Sequence, residues 1–531
     1  MTPQEQSSMH KMAEEIAIKI IHNQIKNKKD LHEEKKKLCG RYHLKTVPSN
    51  ADILGYIPPE TASNYPMIKT ILRKKPVRTI SGVAVVAVMT SPEVCPHGQC
   101  LICPGGPPLS PQSYTGQEPA ALRATRNMFD PLNQTQERIK QLETIGHPTD
   151  KIELIIMGGT FTARSPYYQS WFIQKCYEAL NQKKCPSLQH AMEKNKLAKH
   201  RCIGLTIETR PDWLRLCHID NILRFGATRV ELGVQTTFDD VLRSSGRQHL
   251  VTDSIHATQI AKDAGLKICY HLMLGLPGST PEKDFESFKE TFNEEKFRPD
   301  MLKIYPTLVL KGTKLYKLWK KGEYEPLHLQ ETIKLLAEMK RVIPPWVRIQ
   351  RIERDIPAQL IEAGIKKSNL RQLVKKEMEQ HGWQCQCIRC REVGHRGYKD
   401  KIYPHKIEET RYDYVASKGK EIFISLGDKK NNLVIGYCRL RVPFAPHRPE
   451  FTHDSAIIRE LRIHGDVVGI GKKPKVEYQH RGFGEQLVKK AEIISREYGI
   501  KKLLVLSGIG VKYYYYRLGF IDDGIYVSKI L

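Results

Sequence analysis

Three cysteines lie within nine residues, Cys95-x4-Cys100-x2-Cys103, in a stretch punctuated by Pro96-His97-Gly98 and Pro104-Gly105-Gly106. Thiolates that close together can share one soft metal centre. With His97 as a fourth ligand they would form a zinc knuckle. Three cysteines alone favour an iron–sulfur cluster with one iron left open, able to bind the amino and carboxylate groups of S-adenosylmethionine and cleave it reductively. A second cluster, Cys385-x-Cys387-x2-Cys390, is too short for two separate sites and suits structural zinc, with a fourth ligand among His381, His395 and His405. Two glycine-bearing segments add polar cradles. Gly158-Gly159-Thr160 closes an apolar run, where glycines let backbone approach a ligand. Gln479-His480-Arg481-Gly482-Phe483-Gly484 precedes an amphipathic stretch starting near Glu485, and N–H groups at a glycine turn feeding a helix make a pyrophosphate site.

These groups need elements to hold them, and 531 residues suffice for two to four domains. With 40% hydrophobic and 27% charged residues, the chain is globular rather than collagen-like or disordered. Lys plus Arg number 85 against 58 acidic residues, and the formal charge of +27 attracts a polyanion. The longest apolar run, residues 83–89, is too short for a spanning helix, which needs about 20 residues, so nucleic acid is favoured over a membrane. No secretory leader is visible, so a cytoplasmic chain is expected. In that reducing compartment, six of the 13 cysteines in two tight clusters mean metal rather than disulfides.

Residues 1–76 read as a basic helical region suited to a nucleic-acid arm, with a helix over 12–25 placing Ile16, Ile20 and Ile21 on one face. Residues 1–80 carry 15 basic against 8 acidic side chains. Residues 77–345 alternate strand-like runs at 83–89, 152–157, 202–207, 229–234, 268–274 and 301–305 with amphipathic stretches. That pattern is about six βα units, a full or partial barrel with ligands at the C-terminal strand ends. Residues 346–405 read as a basic connector carrying Arg348, Arg351, Arg354 and the second cysteine cluster. Residues 406–531 change pattern: antiparallel strands at 421–426, 434–442 and 455–464, a strand ending near Glu477, the glycine turn, a helix over 481–498, and strands at 502–506 and 525–530.

Gly158-Gly159, one βα unit after Cys103, resembles the strand-end glycines that hold the methionyl amine in radical S-adenosylmethionine enzymes. That family's usual triad has three residues between its first two cysteines; here there are four. The 479–484 turn resembles the Gln/Arg-x-x-Gly-x-Gly signature by which GNAT acetyltransferases hold coenzyme A. Glu460-Leu461-Arg462-Ile463 matches the strand that splays to admit the pantetheine, and Tyr514-Tyr515 with Leu518-Gly519-Phe520 matches the closing segment. Further strings are Gln112-Ser113-Tyr114-Thr115-Gly116, Met157 to Phe161 and Glu231-Leu232-Gly233-Val234-Gln235. With these, about residues 77–531 resemble the Elongator catalytic subunit family in its archaeal-type form.

The resemblance implies an α/β architecture: a partial (β/α) barrel of radical S-adenosylmethionine type joined to a GNAT-like domain. It implies a [4Fe–4S] cluster on Cys95, Cys100 and Cys103, with S-adenosylmethionine at Gly158, Gly159 and Thr160. Acetyl-coenzyme A would lie along Glu460 to Ile463, Gln479, Arg481, Gly482, Phe483, Gly484, Glu485 and Tyr515, meeting Lys151. The family's paired tyrosines fall on Tyr514 and Tyr515, with Tyr516 where the family often has Arg. The implied reaction takes a hydrogen from the acetyl methyl, joins that carbon to C5 of the wobble uridine and hydrolyses the thioester, giving 5-carboxymethyluridine. The two halves should then face a shared cleft, with Lys151 and Tyr515 near the thioester. Expected partners are the transfer RNA anticodon stem-loop, with its phosphates gripped by the basic regions, and an electron donor; whether the chain forms a homodimer or joins other subunits stays open. Two rivals are a protein lysine acetyltransferase with a structural iron–sulfur domain and a non-catalytic transfer-RNA-binding scaffold. Intact cysteines and an intact glycine turn argue against both, because a vestigial site would be free to lose them.

Overall fold

The computed structural model describes residues 3–44, 46–74, 76–465 and 478–531. Helices Pro3–Ile21, Lys28–Arg41, Asn50–Tyr56, Pro59–Asn64 and Pro66–Leu72 bury Met12, Ile16, Ile20, Leu38, Ile53 and Ile68 against one another. The first helix stops at Ile21, short of residue 25. Asn23 turns into the left-handed region, and the Asn27 side chain accepts from Lys29 N and Asp30 N to begin the next helix.

The barrel strands are β1 (Ala84–Met89), β2 (Lys151–Met157), β3 (Arg201–Thr209), β4 (Ala227–Gln235), β5 (Lys267–Leu274) and β6 (Met301–Pro306). A short β7 (Val309–Leu310), then β8 (Arg348–Arg351) and β9 (Ile361–Ala363), follow. One all-parallel sheet runs β1-β2-β3-β4-β5-β6-β8, while β7 pairs with β9 beside it. Outward residues such as Leu154, Ile207, Leu232, Ile268 and Ile304 are buried under the crossover helices. The alternate residues Glu153, Glu208, Arg229, Glu231, His271 and Lys303 line the bore. The sheet is a curled half-barrel with free edges at β1 and β8. Gln134 covers the β1 edge, accepting from Met89 N and donating to Met89 O, both at 3.0 Å, and Arg123 Nη2 donates to Ala87 O.

A domain boundary at residue 345 falls one strand short, because β8 completes the sheet beside β6. Its four residues carry two arginines, so in sequence it reads as basic linker. The segment beyond it is no loose connector: Leu370, Val374, Met378 and Cys387 pack into the barrel core.

The C-terminal sheet comprises β10 (Glu408–Ala416), β11 (Gly419–Asp428), β12 (Leu433–Val442), β13 (Ser455–Ile463), β14 (Lys502–Val505), β15 (Ile521–Asp523) and β16 (Tyr526–Ile530). Its order is β10-β11-β12-β13-β14-β16-β15, antiparallel except for β13 with β14. Helix Phe483–Glu497 covers one face with Leu487, Val488, Ala491 and Ile494. The strand expected to end near Glu477 lies outside the described residues. The other face packs on the barrel, and Ile457, Leu504 and Tyr526 share its core. Among the described residues, no helix is long and apolar enough to cross a membrane.

Candidate active site

β1 delivers the cysteine loop to the C-terminal ends of the strands. The loop is tied down by its backbone: Cys95 N donates to Gln112 Oε1 (2.9 Å), Leu101 N to Ser245 O (3.2 Å) and Leu315 N to Leu101 O (3.0 Å). A side chain at Gly105 would place its Cβ 2.0 Å from Tyr114 O, which is why glycine is needed there. His97 Nε2 lies 3.0 Å from Cys100 Sγ. The Cys103 thiol, aided by His97 and Arg247 and opposed by burial, pulls Cys100 down to about 3, a thiolate ready to ligate. The sulfurs of Cys95, Cys100 and Cys103 do not all converge within 4.8 Å, whereas those of Cys385, Cys387 and Cys390 do. The wider triangle fits a multi-iron cluster better than a single ion.

Gly158 and Gly159 turn the end of β2 toward that loop with φ of 135° and 93°. A Cβ on Gly158 would meet Thr90 Oγ1 at 2.0 Å, and the open side of Gly159 faces Cys95 Sγ. A cavity of about 690 Å³ begins at Cys95, Cys103, Gly159 and Thr160 and continues down the bore to Ser81 and Arg462. Inside it, Glu231 accepts from Lys303 and from His271 Nε2 (2.8 Å) and forms an ion pair with Arg229 (3.3 Å), while Glu153 takes Arg229. Burial would raise the Glu231 carboxyl, but Lys303, His271 and Arg229 hold it well below the usual range. Glu231, Cys269 and His271 also converge, yet a metal ion there would meet the Lys303 ammonium already on the carboxylate.

The bore's lower end abuts the C-terminal sheet. Lys151, at the start of β2, places Nζ 3.0 Å from Gln479 Oε1 and 3.2 Å from His480 Nε2. Burial lowers Lys151 to about 8. Gln479 also donates to Ile463 O, and Arg462 reaches Ser81 O (3.4 Å) and Glu153 (3.6 Å). Gly482, at φ 85°, opens helix Phe483–Glu497 with no side-chain cap, and Arg481 is exposed beside it. Glu485 pairs with Lys489 in the helix's first turns. β13 and β14 pair only from Ser455↔Lys502 to Ile458↔Val505, so β13 continues through Glu460, Leu461, Arg462 and Ile463 beyond its parallel partner. The two strands therefore part at this end of the sheet. A Cβ on Gly484 would lie 2.6 Å from Tyr514 Oη, itself buried and without a hydrogen-bond partner. Tyr515 is a core residue, edge-on to Tyr514 and Phe520, so Tyr514 rather than Tyr515 faces the glycine turn.

None of the three histidines expected near the second cluster joins it. His381 stacks on Trp383, His395 lies 2.9 Å from Glu392, and His405 N donates to Asp428. Arg348 is locked on Glu392 (2.6 Å), Arg351 pairs with Asp355, and Arg354 donates to Ser113 O, so the Arg348 grip on phosphate expected from sequence is not available. Glu208, Glu231, His271 and Lys303 were missed as bore residues. Their signal was charge at alternate positions within apolar strands.

Known proteins match along nearly the whole chain. The ELP3 N-terminal domain matches residues 9–80, the Radical SAM superfamily residues 89–291 and the Radical_SAM C-terminal domain residues 299–380. A tRNA uridine(34) acetyltransferase of Methanocaldococcus jannaschii is 51% identical over 509 residues, covering 94% of each chain. Elongator complex protein 3 of Schizosaccharomyces pombe is 41% identical over 534 residues, covering 98% of each. The solved structure of Methanocaldococcus infernus Elp3 lacking residues 1–46 superposes with a TM-score of 0.77 at 48% identity, covering 85% of this chain and 100% of that one.

Proposed function

The chain belongs to the Elongator complex protein 3 family, and from that membership we propose that it converts the wobble uridine of transfer RNA to 5-carboxymethyluridine, with acetyl-coenzyme A as carbon donor. The observation that carries this reading is the single cavity onto which both the cysteine loop and Arg462 of the acetyltransferase strand open. A [4Fe–4S] cluster on Cys95, Cys100 and Cys103, with S-adenosylmethionine, supplies the one-electron chemistry that activates the acetyl methyl group. Gly158, Gly159 and Thr160 offer bare backbone to the methionyl end. Within the bore Glu153 pairs with Arg229 and Glu231 with Lys303, so an uncharged uracil would meet polar groups whose charges are matched locally.

At the other end, the Gly482 turn and the helix behind it hold the pyrophosphate, and the splay of β13 from β14 admits the pantetheine. Lys151 and Tyr514 are assigned to the thioester, and Tyr515 to positioning Tyr514. Zinc on Cys385, Cys387 and Cys390 would fasten the 346–405 segment to the barrel. Incubating the anaerobically reconstituted enzyme with transfer RNA, S-adenosylmethionine and acetyl-coenzyme A should yield 5-carboxymethyluridine on nucleoside mass analysis; its absence rejects the reading.

Gly484→Ala should weaken coenzyme A binding about tenfold, because overpacking against Tyr514 costs about 1–3 kcal/mol. Calorimetric titration checks this, and unchanged affinity would remove the turn from the site. Lys151 predicts a pH signature. Below about 8 it is an ammonium and above it an amine, so acetyl-coenzyme A hydrolysis that needs the cation falls as pH rises through 8. In Lys151→Arg that alkaline limb should vanish. An identical limb in both proteins would assign it elsewhere.

A further inference from the structure

The half-barrel opens sideways between β1 and β8, and arginines line the cavity on both lips. On the β8 lip, Arg351 and Arg354 already have partners in Asp355 and Ser113 O. The β1 lip differs. Arg123 is 5% exposed; its Nη2 holds Ala87 O, while its Nε is buried with no hydrogen-bond partner. Among the described residues, Arg138 donates one hydrogen bond, to Gln141 Oε1 at 3.4 Å, and no carboxylate forms a salt bridge with Arg78, Arg123 or Arg138. The neighbouring carboxylate, Glu137, is taken by Arg126 (2.7 Å), Asn127 and Gln141 (2.6 Å). Burial brings Arg123 down to about 10, with Arg138 adding repulsion that nearby Glu137 offsets in part, and Arg138 is lowered by burial and by Arg78. Three cations that repel one another in a partly desolvated wall are costly unless an anion completes them.

We propose that Arg78, Arg123 and Arg138 form a phosphate seat on the β1 lip, which takes a backbone phosphodiester beside the wobble nucleotide as its base passes through the side opening into the bore. The proposal rests on the transfer RNA reading above. Arginine suits the task, since its planar fork matches phosphate oxygens. The Gln134 and Arg123 contacts that close the β1 edge also fix the seat relative to the cysteine loop, so phosphate and base would be registered by one strand. Eversion of the nucleotide is required for chemistry at C5, and a held phosphate favours the unstacked form.

Coenzyme A carries phosphate too, so the test has two arms on the full-length protein. The first measures affinity for a synthetic anticodon stem-loop at several salt concentrations. Arg138→Gln and Arg78→Gln should each weaken binding about tenfold and flatten the slope of log affinity against log salt by about 0.7–0.9, with Arg138→Lys keeping the slope. A stem-loop with one neutral methylphosphonate beside nucleotide 34 should erase the difference between wild type and Arg138→Gln. The second arm titrates acetyl-coenzyme A, whose affinity should not change. Equal stem-loop affinity and slope in wild type and both Gln variants would overturn the seat, as would a loss confined to acetyl-coenzyme A. Failure of the wild type itself to bind the stem-loop would instead count against the transfer RNA reading.

Discussion

Cys100→Ala is expected to end 5′-deoxyadenosine formation, with no product above background, while coenzyme A binding and the melting transition stay close to wild type. Of the three loop cysteines, Cys100 is the one held as a thiolate, by Cys103, His97 and Arg247. Alanine removes that thiolate and leaves only two ligands, Cys103 and Cys95, the latter with its thiol pushed up by burial. Two ligands do not retain an iron–sulfur cluster against oxygen and chelators, and metal affinity follows thiolate availability. The fold should survive because the loop is fastened by Gln112, Ser245 and Leu315 through backbone groups rather than by metal. Iron content, visible absorbance and deoxyadenosine yield check the prediction. Wild-type deoxyadenosine yield in the Cys100→Ala protein would refute the cluster assignment. Cys385→Ala should behave in the opposite way, lowering stability first, since Cys387 at the heart of that cluster is part of the barrel core.

The contrast between those two clusters explains what the sequence could reveal. Spacing alone identifies thiol clusters and the Gly482 turn, because each is contiguous and chemically unusual. The six long barrel strands are legible because parallel strands buried on both faces are continuous apolar runs. β8 hides because Arg348 and Arg351 make it resemble a linker; only in the fold does Arg348 find Glu392. β10 hides for a related reason: Glu408–Ala416 is exposed at alternate positions and carries charge on its outer face. The phosphate-ready arginines were illegible as well. Arg78, Arg123 and Arg138 are separated by 60 residues and meet only because the two helices after the cysteine loop fold back on the β1 edge. The tyrosine pair shows a finer limit, since sequence adjacency cannot say which hydroxyl faces Gly484.

Asp300→Asn should cost about 3–5 kcal/mol of folding stability, the range for stranding buried charges by deleting one partner. Asp300 precedes β6, is fully buried and binds Arg459 through both oxygens at 2.6 and 2.8 Å. It also faces Lys262 (3.7 Å) and Arg439 (3.5 Å), and accepts from Ile268 N (2.8 Å). Arg459 continues to Glu421, and Arg441 joins Glu421 to Asp263. Lys262, Asp263 and Asp300 belong to the barrel; Glu421, Arg439, Arg441 and Arg459 belong to the second sheet. The charge lattice is therefore the join between the two halves. Burial would raise the Asp300 carboxyl, but Arg459, Lys262 and Arg439 hold it well below 3.8. A folded-state value below the unfolded one means that its stabilisation is intact above about pH 4 and is lost as pH falls through the folded value. The variant should accordingly flatten the acid limb of the stability profile as well as lower its neutral plateau. Denaturant titration measures both, and a loss below about 1 kcal/mol would show that the lattice does not bind the halves together. Because the deficit comes from stranded cations rather than from missing attraction, pairing Asp300→Leu with Arg459→Met should recover part of it. Deoxyadenosine yield per carboxymethyl product separates stability from coupling: on the reading proposed above, that ratio should rise in Asp300→Asn, because each half keeps its own residues while the join that registers them is weakened.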